Sequence, residues 1–200
     1  RTRRSDTIDT TAQTRRALFK SAGMAAAALG LVSMGTPLMA AERKLKKPSG
    51  NESSDVGVMQ GALALELEGI AAYRIGGGSG LLSKGVLDVA LLFLGHHEAH
   101  RDSLAKLITS AGGKPVEAKT DAAYIKDLNI ASLKSEADVI KFAAGLEQGA
   151  ANAYVGQITA IQDKQLAHLF AQLGTDEAVH WAILNNASGG AIGKSAYLFG

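Results

Sequence analysis

The sequence predicts an all-α fold, a four-helix bundle made of two antiparallel helical hairpins joined by a long crossover. Apolar residues make up 46% of the 200 residues but aromatic residues only 5%, so Ala, Leu, Ile and Val dominate, which suits closely packed helices. The apolar residues recur at helical spacing and show no strand alternation. Glycine clusters interrupt this pattern where helices are expected to end.

Four segments carry the helical pattern. The first ends before the glycines at 76–78, and the second ends at Gly112-Gly113. Residues 112–134 form the predicted crossover, with one short helical turn at 121–127. Short loops within each hairpin and one long connection between hairpins are typical of one class of four-helix bundle. The predicted helices span residues 55–75, 83–110, 135–161 and 163–186. The predicted bundle therefore covers residues 55–187, and a Gly/Ser-rich tail follows at 188–200.

Charge and cysteine content exclude several function classes. The absence of cysteine rules out disulfides, zinc–thiolate sites, thiol nucleophiles and cysteine-ligated iron–sulfur clusters. The net charge of +2 is too small to indicate nucleic-acid binding. It is also uneven, because residues 1–41 carry a net charge of +4 and residues 51–200 a net charge of −5. Residues 42–54, charged and containing Pro and Gly, are predicted to be a linker.

The N-terminal segment has the features of an export signal. Arg15 and Arg16 precede an uncharged, Ala- and Gly-rich run at 21–41 that ends in small residues. Residues 1–41 therefore resemble a twin-arginine signal peptide, which implies transport by the twin-arginine (Tat) translocase and a periplasmic or exported protein. The alternative is a retained membrane anchor formed by residues 17–41, since about 20 apolar residues can span a bilayer.

Each predicted helix interrupts its apolar stripe with a carboxylate or an imidazole. The 4-3 spacing places these groups on the same face as apolar residues such as Leu63, Phe93 and Leu107, so they point into the bundle. A buried carboxylate costs several kcal/mol unless it is paired or ligated. One inward His or Glu is usually a hydrogen-bonded core residue, but six at one level favour a bound cation. The six are Glu66, His97, His100, Glu147, Glu177 and His180.

The two halves of the bundle repeat this pattern. Glu66 and Tyr73 recur as Glu147 and Tyr154, 81 residues later, and the histidine that follows recurs at an offset of 80. Two equivalent hairpins give the approximate two-fold symmetry that a centre for two metal ions requires. Tyr73 and Tyr154 are interpreted as core residues or, alternatively, as hydrogen-bond partners of ligand carboxylates.

The pattern of Glu followed by Glu-x-x-His, twice over on four helices, is that of the ferritin-like di-metal carboxylate proteins, and this sequence resembles it, with a full Glu-x-x-His at residues 177–180. The resemblance is closest to the bacterial exported ferritin-like domain proteins and covers about residues 53–187. It implies two Fe ions, or Mn as the alternative, and redox chemistry with peroxide or dioxygen of the ferroxidase, peroxidase or catalase kind. It allows for a homo-oligomer and assigns no catalytic residue. The ligands that it implies are Glu66, His100, Glu147, Glu177 and His180.

One position departs from the family pattern, because His97 stands where the second helix should carry Glu. Two other interpretations are open: Glu98 rotates into the site, or His96 and His100 pair as i and i+4 ligands. The 4-3 stripe favours His97, because Glu98 lies about 100° round the helix. Because the site then has one carboxylate fewer, three outcomes are open: it binds two metal ions, it binds one, or it binds none tightly. The rival hypothesis is a non-enzymatic bundle for partner binding or stress protection, with a structural or lost metal site.

Overall fold

A computed structural model describes residues 54–194 and 196–200, and every regular element in this part of the chain is helical, which confirms the all-α fold class. The predicted export signal with Arg15 and Arg16, its alternative as an anchor, and the predicted linker up to residue 53 lie outside the described residues. Across the described residues, none of the helices combines the length and apolar character needed to cross a bilayer. The α-helices are α1 (Ser54–Gly77), α2 (Lys84–Ser110), α3 (Asp121–Asp127), α4 (Glu136–Gln157) and α5 (Lys164–Ala187).

The four long helices form two antiparallel hairpins, α1 with α2 and α4 with α5. The two hairpins meet where α1 packs against α4. Side chains that cap helix N-termini start α4 and α5: Ser135 accepts a hydrogen bond from the backbone N–H of Asp138, and Asp163 accepts from two backbone N–H groups. The two helices therefore begin where a polar side chain accepts hydrogen bonds from the backbone N–H groups of the first turn.

The crossover follows the outside of α1. The side chain of Gln60 donates to the carbonyl oxygen of Lys114 (2.6 Å) and accepts from the backbone N–H of Val116 (2.8 Å). Further along, Arg74 pairs with Asp121 at the start of α3. The short helix predicted at 121–127 is present with those bounds. These contacts hold the crossover against α1 between the end of α2 and the start of α4.

The bundle interior has two apolar clusters, one on each side of a central polar layer. The cluster here called the Leu104 cluster contains Val56, Met59, Ala62, Leu63, Leu104, Ile108, Tyr154, Leu166, Phe170 and Leu173. The cluster here called the Trp181 cluster contains Tyr73, Phe93, Ile140, Ala143, Ala144, Trp181 and Leu184. The tail closes over this second cluster, since the ring of Phe199 meets Trp181 edge-on at 5.2 Å between centroids.

Two details of the predicted helices are wrong. Leu107, expected in the core stripe, is 38% exposed, whereas its neighbour Ile108 is fully buried. The strict 4-3 spacing drifts from the 3.6-residue period of a straight helix, so the inward position after Leu104 is the fourth residue on and not the third. The helix predicted to reach residue 161 ends at Gln157 and continues as a 3-10 turn, Ile158–Ala160.

Candidate metal centre

The polar layer between the two apolar clusters contains all six of the predicted ligand residues. Two come from α2, two from α5 and one each from α1 and α4. All six are buried, and the side chain of Glu177 is 0% exposed. Four of the five histidines in the chain lie in or next to this layer. The six are Glu66, His97, His100, Glu147, Glu177 and His180.

These residues form two overlapping groups, and within each group one ligand atom per residue lies within 4.8 Å of the others. The first half-site is Glu66 with His100, and the second half-site is Glu147 with His180. His97 and Glu177 belong to both groups. A single polar layer therefore offers four candidate ligands to each of two adjacent positions.

Glu177 spans the two half-sites with its two carboxylate oxygens. Its Oε1 lies 3.2 Å from Nδ1 of His100, and its Oε2 lies 3.4 Å from Nδ1 of His180. One oxygen thus faces each half-site. This is the arrangement expected of a carboxylate shared by two metal ions.

His97 also spans the layer, using both ring nitrogens. Its Nδ1 is 2.8 Å from Oε2 of Glu66, and its Nε2 is 3.3 Å from Oε1 of Glu147. Gly69 on α1 makes room for it, because a Cβ on that glycine would lie 3.2 Å from the His97 ring. Sequence reasoning missed Gly69, since the requirement for a small residue comes from a neighbouring helix.

The structure decides between the interpretations of the α2 motif. Glu98 is exposed, so it does not enter the layer. His96 does not pair with His100, because its Nδ1 faces Nε2 of His180, 2.9 Å away. The second and third interpretations of the motif are therefore wrong, and His97 lies at the inward position that the helical stripe favours.

The two tyrosines are both core residues and hydrogen-bond donors. The hydroxyl of Tyr73 on α1 donates to Oε1 of Glu147 on α4, and that of Tyr154 on α4 donates to Oε1 of Glu66 on α1. The contacts are reciprocal, as the internal repeat implies. Each hydroxyl holds one oxygen of its carboxylate. The second oxygen of Glu66 contacts His97, whereas the second oxygen of Glu147 has no hydrogen-bond partner among the described residues.

The sequence matches the ferritin-like domain family over residues 54–190. The chain belongs to the ferritin-like domain family. Its structure also resembles that of a conserved hypothetical protein from Mycobacterium tuberculosis, with a TM-score of 0.58 and 21% identity over 72% of this chain and 96% of that one. This likeness supports the fold alone. A comparison with curated proteins finds no match.

Five polar atoms in this ferritin-like domain are buried without a hydrogen-bond partner among the described residues. They are Nδ1 of His100, Nδ1 of His180, Oε2 of Glu147 and both carboxylate oxygens of Glu177. Buried polar atoms are nearly always hydrogen-bonded, and leaving one unpaired costs about 1–3 kcal/mol. All five belong to the six candidate ligands, and oxygen and imidazole nitrogen are donors that suit Fe and Mn. The donor set therefore fits a divalent metal ion.

Close contacts between histidines and glutamates shift the pKa values of the side chains in the polar layer. Burial by itself lowers the pKa of His97, but hydrogen bonds to Glu147 and Glu66 outweigh burial and raise the pKa to about 11. In the same way, contacts with Glu177 and Glu66 raise the pKa of His100 to about 10 against the effect of burial. Burial and the neighbouring carboxylate of Glu147 raise the pKa of Glu177. Protons and metal ions thus compete for the same atoms.

Two further polar residues at the site were not among the predicted ligands. His96 contacts His180, and Asp176 accepts from or faces Nε2 of His100 at 3.3 Å. Both are exposed on the outer side of the imidazole that they contact. The sequence analysis considered His96 only as a ligand paired with His100, and it did not single out Asp176, which directly precedes an inward residue on its helix.

Proposed function

We propose that this ferritin-like domain binds two metal ions, Fe or alternatively Mn, in the polar layer. The observation that carries the proposal is the set of five buried, unpaired donor atoms that face one another between the half-sites. Their spacing and their division into two overlapping ligand groups support two adjacent positions and not one.

Each half-site would supply one carboxylate and one imidazole, with Glu177 and His97 between them. The three ionised carboxylates contribute a charge of −3, so two divalent ions would leave a net charge of +1 with neutral imidazoles. A positive centre favours an anionic ligand or substrate. The tyrosine hydroxyls hold the carboxylates of Glu66 and Glu147 while the apolar clusters on both sides exclude water.

The proposed reaction is redox chemistry with oxygen species, of the ferroxidase, peroxidase or catalase kind. Bound Fe or Mn would supply the one-electron steps that the side chains of this layer lack. The protein would hold the ions close together, keep the site dry and provide the tyrosine hydroxyls that donate hydrogen bonds to the ligand carboxylates. Dioxygen or peroxide is the proposed substrate, together with Fe(II) if the protein is a ferroxidase.

The N-terminal sequence supports a proposal about location. Arg15 and Arg16 ahead of the uncharged run at 21–41 favour export by the twin-arginine translocase to the periplasm or beyond. The alternative is a protein anchored in the membrane through residues 17–41. N-terminal sequencing of the exported protein distinguishes a cleaved signal from an anchor. Assembly into a homo-oligomer stays a prediction.

One observation favours the second candidate, a non-enzymatic bundle. His97 contacts the carboxylates of Glu66 and Glu147 at the same time, so an imidazolium there partly neutralises the layer without a metal ion. A bundle held together in this way would serve partner binding or stress protection.

Elemental analysis tests the proposal directly. We expect the purified full-length protein to contain close to two equivalents of Fe or Mn, and both Glu147→Ala and His180→Ala to lose metal while keeping their helical circular dichroism. His168→Ala is the matched control, because His168 is an exposed histidine on the same helix as His180. Protein without metal, after reconstitution under anaerobic Fe(II) and Mn(II), would contradict the proposal and favour the non-enzymatic bundle. Consumption of Fe(II) or of hydrogen peroxide by the loaded protein then identifies the reaction.

A further inference from the structure

His96 and Asp176 occupy equivalent places in the two halves of the bundle. His96 directly precedes His97, and Asp176 directly precedes Glu177, so the two outer residues are 80 positions apart. Each contacts the outer nitrogen of an imidazole on the opposite helix: His96 Nδ1 lies 2.9 Å from Nε2 of His180, and Asp176 Oδ2 lies 3.3 Å from Nε2 of His100. The contacts are reciprocal in position but differ in chemistry, since one partner is an imidazole and the other a carboxylate.

These contacts set which nitrogen of each imidazole is available inside the layer. Nδ1 of His100 and of His180 both face Glu177, at 3.2 Å and 3.4 Å. An imidazole that binds a metal ion through Nδ1 carries its proton on Nε2. Asp176 and His96 are placed to accept the hydrogen bond from that N–H. Both outer residues therefore hold an imidazole in the tautomer that metal binding needs.

The two half-sites share most of their inner polar contacts, although His97 lies closer to Glu66 (2.8 Å) than to Glu147 (3.3 Å). They share His97 and Glu177. Each has one glutamate that accepts a hydrogen bond from a tyrosine of the other hairpin. Phe93 stacks on His180 at 4.0 Å between centroids, but an apolar ring accepts no proton. The outer partner of the histidine differs in formal charge, since Asp176 is a carboxylate and His96 an imidazole.

A carboxylate and an imidazole do not have the same effect on the histidine that they contact. An anionic acceptor draws the Nε2 proton outward and makes Nδ1 a stronger donor to a metal ion than a neutral acceptor does. Removing such an outer partner typically weakens metal binding by about 10–100-fold. Unequal outer partners thus predict unequal metal affinities.

We propose that Asp176 and His96 are positioning residues that make the two half-sites unequal, so that the half-site of Glu66 and His100 binds the first metal ion and that of Glu147 and His180 the second. This inference rests on the proposed function, because it assumes that both half-sites bind metal.

The test is a stepwise titration of chelator-treated full-length protein with Co(II), followed by the visible spectrum of the bound ion. For the unmodified sequence we expect two steps separated by at least about tenfold in affinity. Asp176→Asn should weaken the tight step by about 10–100-fold and leave the weak step in place. His96→Asp should strengthen the weak step and bring the two within a few-fold of each other. Glu98→Gln is the charge control, since this exposed carboxylate lies near Arg101 and should leave both steps unchanged.

The outcomes separate this inference from the proposed function. Two equal steps, or a two-step curve that neither variant changes, would overturn the inference while leaving the two-metal site intact. No binding of Co(II) by protein with full helical circular dichroism would overturn both. A gain of affinity in His96→Asp at the weak step supports the inference, because a merely structural role for His96 predicts no such gain.

Discussion

The polar layer and the apolar clusters on both sides of it are equally buried but have opposite chemistry. Leu104 and Glu177 are each 0% exposed. Burying a leucine stabilises the fold by about 1.5–3 kcal/mol, whereas burying a carboxylate costs free energy unless a partner compensates. The clusters therefore stabilise the bundle, and the layer is arranged for binding. The lesson is that burial alone does not indicate whether a residue of this bundle contributes to stability or to its site.

The two tyrosines connect these regions. The ring of Tyr154 belongs to the Leu104 cluster and that of Tyr73 to the Trp181 cluster. Their hydroxyls reach the polar layer and donate to Glu66 and Glu147. Each apolar cluster thus positions one carboxylate of the layer, so the packing on either side of the site contributes to its geometry.

The largest expected effect on stability is in the apolar region. Leu104→Ala should lower the free energy of unfolding by about 2–5 kcal/mol, because it leaves a cavity in a fully buried cluster, while the metal content stays the same. Urea unfolding of chelator-treated protein measures the first quantity and elemental analysis the second. Leu107→Ala, partly exposed on the same helix, is the control and should cost much less. Loss of metal in the folded Leu104 variant would show that the two regions are not separable.

In the polar layer, pH should change metal binding strongly. His97 and His100 have pKa values raised to about 11 and about 10, so two protons must leave when a metal ion binds at neutral pH. Affinity should then rise about 100-fold, or about 2.7 kcal/mol, for each pH unit between about 7 and 9. Metal titrations at several pH values measure the slope. His97→Gln should reduce the slope to about tenfold per unit, and an unchanged slope would show that His97 is not protonated.

Raising the pH should have the opposite effect on the stability of chelator-treated protein, which should fall. Because the folded state raises the pKa of His97, its contribution to stability is fully present below about pH 6.5 and is lost as the pH rises through about 11. Unfolding measured over this range should therefore show stability falling while metal affinity rises. A parallel rise of both would contradict the assignment.

The smallest expected effect lies at the boundary between the regions. Tyr154→Phe keeps the ring in the Leu104 cluster but removes the hydrogen bond to Glu66, which should cost about 1.5 kcal/mol of unfolding free energy. It should also weaken metal binding at the first half-site more than at the second. Tyr124→Phe is the control, since its hydroxyl accepts a hydrogen bond from the backbone of Lys119, away from the site. Equal loss of metal affinity in both variants would mean that Tyr154 acts through packing alone.

The sequence by itself determined the fold class and the composition of the polar layer. The spacing that places Glu66, Glu147 and Glu177 inward is a property of single helices, since residues three or four apart share a face whatever the helix packs against. The repeat at 80 and 81 residues made the two-fold arrangement of the halves predictable as well. Both inferences depend on local periodicity, which a sequence displays directly.

Only the tertiary structure decided which atoms of those residues meet. The reach of His96 and Asp176 to imidazoles on the opposite helix, the sharing of Glu177 between half-sites, and the space that Gly69 leaves for His97 all depend on distances between helices. Those distances follow from how the side chains of two surfaces interdigitate, a property of the packed bundle and of no single segment.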